Sequence, residues 1–274
     1  MVSEKFIEVD GLRTRYLENG RGSPVLLLHG ATLGSSADVW TRNIPALAER
    51  GFRAIAFDQP GFGLSDNPED HSVGFRRRFV PAFMDALKLE KACLIGHSQS
   101  GRMALDLAFA HPQRVAKVIA LGTGSLLPPL PEGKKSSAPR EGDEGGTAEP
   151  TLEDTRRFLE ANLFDHALIT PAVLEARQRM SVGKNFQAFL ARRLATHGKQ
   201  EKEAVPSWQR PAQAPVPLLM IYGKQDRGAA AERAALARQH YPRLDLHVLD
   251  RCKHLVQWDA AAEFVALSTR FLTA

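Results

Sequence analysis

The segment ACLIGHSQSGRMA, residues 92–104, decides the fold prediction for this chain. Its first four residues are apolar, which is typical of a buried strand. From Met103 onward the apolar residues recur at roughly helical spacing. Only one sharp turn fits between the strand and the helix, and Ser98 lies at its centre. Such a strand-turn-helix corner holds a serine hydroxyl above the edge of a sheet.

The residues around Ser98 are small where this corner is tight. Gly96, Ser100 and Gly101 leave space for the neighbouring backbone, with which a larger side chain would collide. The usual pattern is G-x-S-x-G, whereas here the fifth position is Ser100 and the glycine comes one place later. Alone, the pattern is weak, and an ordinary strand-to-helix turn that contains a serine is the alternative interpretation. The rest of the chain decides between the two.

Length and composition indicate a single globular domain with an insertion. The chain has 274 residues, of which 43% are hydrophobic and 24% charged, as is ordinary for a globular protein. Its net charge of +5 comes from scattered arginines. We interpret the arginine runs at 76–78 and 192–193 as solvated helix faces, so no nucleic-acid partner is predicted.

The sequence predicts no cofactor and no membrane partner. Two cysteines, Cys93 and Cys252, give no disulfide framework. Neither a metal-ligand spacing nor a phosphate-binding loop is present, so we expect no metal ion and no organic cofactor. The N-terminal residues lack the apolar stretch of a signal peptide, and no segment approaches a membrane span, which favours a cytoplasmic protein. The oligomeric state is open, with a homodimer as one candidate.

Apolar strand-like runs alternate with helical stretches on both sides of residues 92–104, which predicts an α/β fold with a mostly parallel, doubly wound sheet. The composition changes at 128–150, a polar stretch rich in proline and glycine that predicts a flexible loop. Residues 151–205 then follow a purely helical pattern. We therefore predict a core of residues 1–127 and 206–274, with 151–205 as a helical lid over the candidate serine.

Three residues far apart in the chain predict a catalytic triad. Ser98, Asp226 and His254 occur in the order serine, acid, histidine, with Asp226 in a turn after a strand and His254 in a loop after the next strand. A serine hydroxyl is a poor nucleophile at neutral pH, so His254 would accept its proton, and Asp226 would orient the imidazole. Asp250 is the alternative acid, but it lies only four residues from His254.

Two backbone N–H groups are expected to stabilise the oxyanion of such a reaction. One is that of Gln99, directly after the candidate nucleophile. The other comes from the loop that follows the apolar strand at 24–28.

With these residues in place, the chain resembles the α/β-hydrolase superfamily over essentially its whole length. Within it, the sequence is most similar to the meta-cleavage-product hydrolases, which cut a carbon–carbon bond in vinylogous 1,5-diketones from aromatic degradation. The segments that carry this closer resemblance are 58–66, 163–170 with Arg177, Gln257-Trp258 after His254, and Glu263-Phe264.

The resemblance implies an α/β-hydrolase fold and a set of site residues. Arg177 would bind the acidic dienol end of a 2-hydroxy-6-oxo-hexadienoate-type substrate, since a guanidinium suits a carboxylate. Its alternative interpretation is a solvated helix residue, like Arg179 nearby. Ala31 would donate the first oxyanion N–H. The remaining substrate-binding candidates are His97, Gly30 and Trp258.

The sequence departs from the family pattern in the half of the pocket that binds the dienol. The family's elbow is Gly-Asn-Ser-Met-Gly-Gly, so His97 replaces the asparagine that helps the arginine hold the substrate. Leu255 stands where a tryptophan usually follows the catalytic histidine, and the loop at 29–36 lacks a glycine-rich run. The triad and the resemblance together predict a serine hydrolase that cleaves a carbon–carbon bond in a 2-hydroxy-6-oxo-hexadienoate-type acid. A carboxylesterase or lactonase, a ligand receptor on the same fold, and a cofactor-free oxygenase or perhydrolase stay open as alternatives.

Overall fold

The structure is a computed structural model that describes residues 2–131, 147–196 and 205–274. Within the predicted flexible loop 128–150, residues 132–146 lie outside the described residues, and so do residues 197–204 of the predicted lid. The boundaries of core, loop and lid therefore stay predictions.

The described strands form one eight-stranded sheet in the order β1-β2-β4-β3-β5-β6-β7-β8. The strands are β1 (Ser3–Val9), β2 (Leu12–Asn19), β3 (Ser23–Leu28), β4 (Phe52–Phe57), β5 (Ala92–His97), β6 (Val115–Leu121), β7 (Leu218–Gly223) and β8 (Asp245–Leu249). β1 and β2 pair antiparallel, as do β2 and β4, whereas the pairs from β4 to β8 are parallel. The predicted α/β fold with a mostly parallel sheet is confirmed.

Helices follow the parallel strands, as the alternating pattern predicts. They are α1 (Ile44–Ala48), α2 (Val73–Ala86), α3 (Gln99–Ala110), α4 (Leu152–Asn162), α5 (Pro171–Arg179), α6 (Lys184–Thr196), α7 (Ala230–His240), α8 (Val256–Asp259) and α9 (Ala261–Thr273). None of the helices in the described part of the chain combines the length and the apolar character needed to cross a bilayer.

The sheet has a hydrophobic core on each face because its central strands place buried apolar residues on both faces. In β3, Leu26 and Leu28 join the core beneath α2, α3 and α7, whereas Val25 and Leu27 join the core beneath α1 and α9. All four side chains are fully buried. Covering both faces leaves the carboxyl edge of the parallel strands as the place where loops and side chains converge, as is general for open α/β sheets.

The helices α4, α5 and α6 form an insertion between β6 and β7. Leu159 and Leu174 of the insertion pack against Leu255 and Trp258. Polar contacts reinforce this packing, because the carboxylate of Asp259 accepts hydrogen bonds from backbone N–H groups on both sides.

The Asp259 carboxylate accepts from the N–H groups of Phe164 at 2.9 Å and Asp165 at 3.1 Å, both in the insertion. It also accepts from the N–H of Lys253, at 2.9 Å, in the loop after β8. The insertion is therefore bonded to the segment that carries His254.

Candidate active site

Ser98 occupies the turn between β5 and α3 in a backbone conformation that is strained for any residue but glycine, with φ of 56° and ψ of −124°. The corner closes because Gly96 and Gly101 have no side chain. A Cβ on Gly96 would lie 2.2 Å from the carbonyl oxygen of Ser100, and one on Gly101 would lie 2.0 Å from Oγ1 of Thr123. The same Thr123 hydroxyl donates to the carbonyl oxygen of Ser98 at 2.9 Å. The strained turn is thus held by its neighbours.

Ser100, the departure from the usual elbow pattern, has a specific set of partners. Its hydroxyl donates to the carbonyl oxygen of His29 at 2.6 Å. The side-chain amide of Gln59 donates to the Ser100 hydroxyl oxygen at 3.1 Å and to the His29 carbonyl oxygen at 2.7 Å. All three side chains are fully buried. The hydroxyl therefore joins the elbow to the end of β3, where the expected oxyanion loop begins.

Asp226 and His254 are in direct contact at the carboxyl edge of the neighbouring strands β7 and β8. Nδ1 of His254 lies 3.1 Å from each carboxylate oxygen of Asp226, and both residues are buried. Because a carboxylate only accepts, Nδ1 carries a proton, and in the neutral imidazole the lone pair is then on Nε2. Nε2 is also buried and makes no hydrogen bond to the described residues. The alternative acid, Asp250, is exposed and pairs with Lys224 at 3.2 Å.

The loop that carries His254 approaches the sheet closely because β7 ends in glycine. A Cβ on Gly223 would lie 2.3 Å from the carbonyl oxygens of both Cys252 and Lys253. No side chain fits there, so this glycine fixes how near the imidazole comes to the end of β7.

His97, directly before Ser98, packs against His254. The two rings lie 4.8 Å apart, and Nε2 of His97 donates to the backbone carbonyl of His254 at 3.0 Å. Burial and the neighbouring His254 hold the pKa of His97 well below its usual value, so this imidazole is neutral. Only 5% of His97 is exposed. These contacts position His254; the expected role of His97 in binding substrate stays a prediction.

The two expected oxyanion donors belong to the loop at Gly30, which precedes Ala31, and to Gln99, which follows Ser98. A Cβ on Gly30 would lie 3.4 Å from Cβ of Ser98 and 3.1 Å from Nδ1 of His97, so the loop before Ala31 touches the elbow. Gln99 is the first residue of α3, where no preceding turn of helix satisfies the backbone N–H.

Arg177 reaches the same loop from the insertion. Its Nη2 donates to the carbonyl oxygen of Leu33 at 2.7 Å and lies 3.2 Å from the Thr32 hydroxyl. Its guanidinium carbon stacks 4.1 Å from the centre of the Phe158 ring. Arg177 is therefore half-buried and bonded to the core, unlike a solvated helix residue.

A largely apolar cavity of about 300 Å³ opens beside Arg177. The cavity is lined by Leu159, by Trp258 and by Leu255, the neighbour of His254. The indole N–H of Trp258 donates to the carbonyl oxygen of Val39 at 2.6 Å. Arg177 and Trp258 are thus brought together as the resemblance implies, and their binding roles stay predictions.

The interpretation of both arginine runs as solvated faces was wrong for one residue in each. Arg76 is only 2% exposed and Arg192 only 7%. The helical register explains the difference: Arg76 shares a face of α2 with buried Phe79 and Phe83, and Arg192 falls one turn after buried Phe189. This spacing in the sequence was the signal that could have found them.

Among the described residues, no group of three or more histidine, cysteine, aspartate or glutamate side chains is arranged to hold a metal ion. The buried pair of Asp226 and His254 and the strained elbow at Ser98 follow the arrangement of a serine hydrolase.

The comparison with protein families agrees with this class. Residues 23–261 match the family described as the alpha/beta hydrolase fold. The chain therefore belongs to the α/β-hydrolase fold family.

Relatives within the family confirm the closer resemblance to meta-cleavage-product hydrolases. The chain is 32% identical to the 2-hydroxy-6-oxo-6-phenylhexa-2,4-dienoate hydrolase of Burkholderia cepacia, over 98% of this chain and 96% of that one. It is 30% identical to the 2-hydroxymuconate semialdehyde hydrolase of Pseudomonas sp. (strain CF600), over 96% and 91%. A solved meta-cleavage product hydrolase of Pseudomonas fluorescens superposes with a TM-score of 0.76 at 26% identity, covering 98% of this chain and 97% of that one.

Proposed function

We propose that this protein hydrolyses a carbon–carbon bond in a 2-hydroxy-6-oxo-dienoate acid, the class of substrate for which its relatives are named. Ser98, His254 and Asp226 form the proposed catalytic triad, with the N–H groups of Ala31 and Gln99 as the oxyanion hole. One observation carries the proposal: Asp226 holds Nδ1 of His254 and leaves the buried Nε2 without a hydrogen bond to the described residues, on the edge where Ser98 lies.

The proposed chemistry begins with a proton transfer. Nε2 of His254 accepts the hydroxyl proton of Ser98, and the carboxylate of Asp226 stabilises the imidazolium that forms. The Ser98 oxygen adds to the ketone carbon, and the two backbone N–H groups stabilise the resulting oxyanion.

Collapse of this intermediate breaks the carbon–carbon bond. The electron pair can enter the conjugated acid end because the substrate first takes its keto form, in which the proton of the 2-hydroxyl group has moved to carbon 5. The pair then passes to the 2-oxygen, which takes the proton from His254 and restores the 2-hydroxyl group. A water molecule, activated by the same imidazole, then releases the acyl group from Ser98 as a carboxylic acid. Overall one water is consumed: its hydroxyl goes to the former ketone carbon and its proton to the other fragment.

Arg177 is the proposed partner of the substrate's carboxylate. Its guanidinium is fixed by the Leu33 carbonyl, two residues from Ala31, which puts positive charge beside one oxyanion donor. Arginine pairs with carboxylates through charge-assisted hydrogen bonds. Leu159, Leu255 and Trp258 give the adjoining cavity its apolar lining, which suits the dienyl carbons.

The insertion is the proposed lid of this site. Its α4 and α5 pack on Leu255, the residue after His254, through a cluster of buried apolar side chains. Cover of this kind excludes bulk water and strengthens the electrostatic interactions inside.

The proposal is tested with purified protein and a yellow ring-cleavage product as substrate. We expect loss of the yellow absorbance with wild-type protein and none with the Ser98→Ala variant. A fluorophosphonate probe should label the wild type and not the variant. Labelling together with hydrolysis of nitrophenyl esters, but no loss of colour, would replace the proposal by the carboxylesterase alternative. Absence of labelling would contradict an activated serine altogether.

A further inference from the structure

The loop after β3 begins with two peptide groups whose carbonyl oxygens are both held by buried side chains. The first carbonyl is that of His29, which accepts hydrogen bonds from the Ser100 hydroxyl at 2.6 Å and from the Gln59 side-chain amide at 2.7 Å. The second is that of Gly30, which accepts from Nδ1 of His29 at 2.7 Å. His29, Gln59 and Ser100 are fully buried, so bulk water does not compete for these bonds.

One tautomer of the His29 imidazole satisfies both of its polar neighbours. Nε2 accepts from the backbone N–H of Gln59 at 3.0 Å, so Nδ1 carries the proton and donates to the Gly30 carbonyl. Burial lowers the pKa of His29 to about 3, which keeps the ring neutral at neutral pH. The ring also packs edge-on against Phe62, with the two ring centres 4.9 Å apart. The imidazole is therefore held in one orientation.

The bond to the Gly30 carbonyl determines where the N–H of Ala31 points. Both groups belong to the same planar peptide, and in a trans peptide the C=O and the N–H point in opposite directions. His29 therefore orients the N–H that is expected to stabilise the oxyanion. A hydrogen bond to the carbonyl also polarises the peptide, which strengthens the N–H as a donor.

Ser100 connects this loop with the second expected donor, the N–H of Gln99. It follows Gln99 directly, in the first turn of α3, and its hydroxyl reaches from the elbow to the His29 carbonyl. The usual elbow pattern has glycine at this place, which has no group that could make the bond. The Ser100 hydroxyl therefore ties the segments that carry the two donors to each other.

We propose that Ser100 is a positioning residue that fixes the distance between the two oxyanion donors, the N–H groups of Ala31 and Gln99. This inference rests on the proposed function, in which these two groups hold the oxyanion. Ser100 acts through the backbone of His29. Donors stabilise a transition state only where its negative charge develops, so a displaced donor lowers the rate and leaves ground-state binding unchanged.

The Ser100→Ala variant removes the bridge and is expected to fold, because Gln59 still donates to the His29 carbonyl. We expect kcat on the ring-cleavage product to fall by about 10- to 100-fold, while KM changes by less than about twofold. This loss is smaller than the loss of about 10²- to 10³-fold for a donor that is removed outright. Ser100→Gly, which restores the usual elbow pattern, also lacks the hydroxyl and should lose at least as much.

A trifluoromethyl ketone measures the oxyanion hole without any turnover. The Ser98 oxygen adds to its carbonyl carbon, the Ser98 proton passes to His254, and the ketone oxygen becomes the oxyanion of a tetrahedral adduct. The probe is 1,1,1-trifluorononan-2-one, with its dissociation constant measured by titration calorimetry. In Ser100→Ala this constant should rise by about the factor by which kcat falls.

Thr14→Val is the matched control for the loss of a buried hydroxyl. Thr14 is also buried, and its hydroxyl donates to a backbone carbonyl, that of Leu12 at 3.1 Å. It lies on β2, which pairs with neither β3 nor β5. Thr14→Val should lower the melting temperature and leave kcat and the dissociation constant unchanged. If Ser100→Ala does the same, Ser100 supports only the fold, and the inference is overturned.

The two measurements separate this inference from the proposed function. If the wild type binds the ketone but does not hydrolyse the dienoate, the proposed function is wrong, and the dissociation constant alone decides the role of Ser100. A higher constant in Ser100→Ala than in the wild type would then support that role, and equal constants would overturn it. Failure of the wild type to bind the ketone would contradict the oxyanion hole and, with it, the role of Ser100.

Discussion

Replacing Asp226 by asparagine tests the pairing on which the proposed chemistry depends. Asparagine is nearly isosteric, so the turn after β7 keeps its shape, but the charge that stabilises the protonated His254 is lost. With Nδ1 at 3.1 Å from both oxygens, one charge-assisted hydrogen bond is removed, which costs about 1.5–3 kcal/mol, or about 10- to 100-fold in rate. An amide that donates to Nδ1 also moves the imidazole proton to Nε2, and in a serine protease with the same triad the whole change lowers kcat about 10⁴-fold.

We therefore expect Asp226→Asn to lower kcat by about 10²- to 10⁴-fold while KM changes little, since the substrate contacts are kept. Steady-state kinetics on the ring-cleavage product measures both constants, and the melting temperature shows whether the variant is folded. Asp250→Asn is the matched control, because Asp250 is exposed and lies four residues from His254. A folded Asp226→Asn variant that keeps more than a tenth of the wild-type kcat would refute the pairing, as would an equal loss in Asp250→Asn.

Three further predictions concern the elbow, Arg177 as the proposed partner of the substrate's carboxylate, and pH. Both Ser98→Gly and Ser98→Ala should be inactive. In urea unfolding, the free energy of unfolding of the glycine variant should exceed that of the alanine variant by about 1 kcal/mol, because only glycine adopts a φ of 56° without strain. Equal free energies would contradict the strain. Arg177→Gln should raise KM for the dienoate about 10- to 100-fold, whereas Arg179→Gln, at an exposed position on the same helix, should leave it unchanged. If Arg177→Gln raised KM for a neutral ester by the same factor, its role would be structural only. Burial lowers the pKa of His29 to about 3, so below pH 6.5 the unfolded chain takes up a proton that the folded chain does not, and stability falls as the pH falls. Between pH 7.5 and 5.0 the free energy of unfolding should fall by about 2 kcal/mol from this cause. In His29→Gln this decrease should be absent when urea unfolding is measured at both pH values, and a pH dependence equal to that of the wild type would contradict the burial of a neutral His29.

The fold and the elbow could be predicted because their geometric requirements leave local signals. Glycine is required at position 96, where a Cβ would lie 2.2 Å from a backbone carbonyl oxygen, and at position 101, where a Cβ would lie 2.0 Å from the Thr123 hydroxyl. The pairing of Asp226 with His254 followed from chain order, because loops after neighbouring parallel strands meet at one edge of the sheet. The elbow is a short-range pattern, and the position of the acid–histidine pair is determined by the order of the parallel strands.

The rest depends on partners that are distant in the chain. The hydroxyl of Ser100 bonds to the carbonyl of His29, and nothing near either residue announces this contact. The burial of Arg76 is visible in its helical register, but the approach of Arg192 to the same ring of Phe62 depends on how the insertion docks. Side-chain spacing within a helix does not determine that docking.

The three hydrogen bonds of the Asp259 carboxylate have a mechanical consequence. Because one side chain ties both Phe164 and Lys253, any swing of the helical cover must either break these bonds or drag the neighbouring imidazole along. If the insertion opens as the proposed lid, His254, the proposed base, would move with it, and its alignment would return on closing. A different insertion placed here to change the substrate range would have to reproduce these bonds. It would also need the bonds from the Leu255 N–H to the Asn162 carbonyl and from Nζ of Lys253 to the Glu160 carbonyl, or the imidazole of His254 would be held out of place.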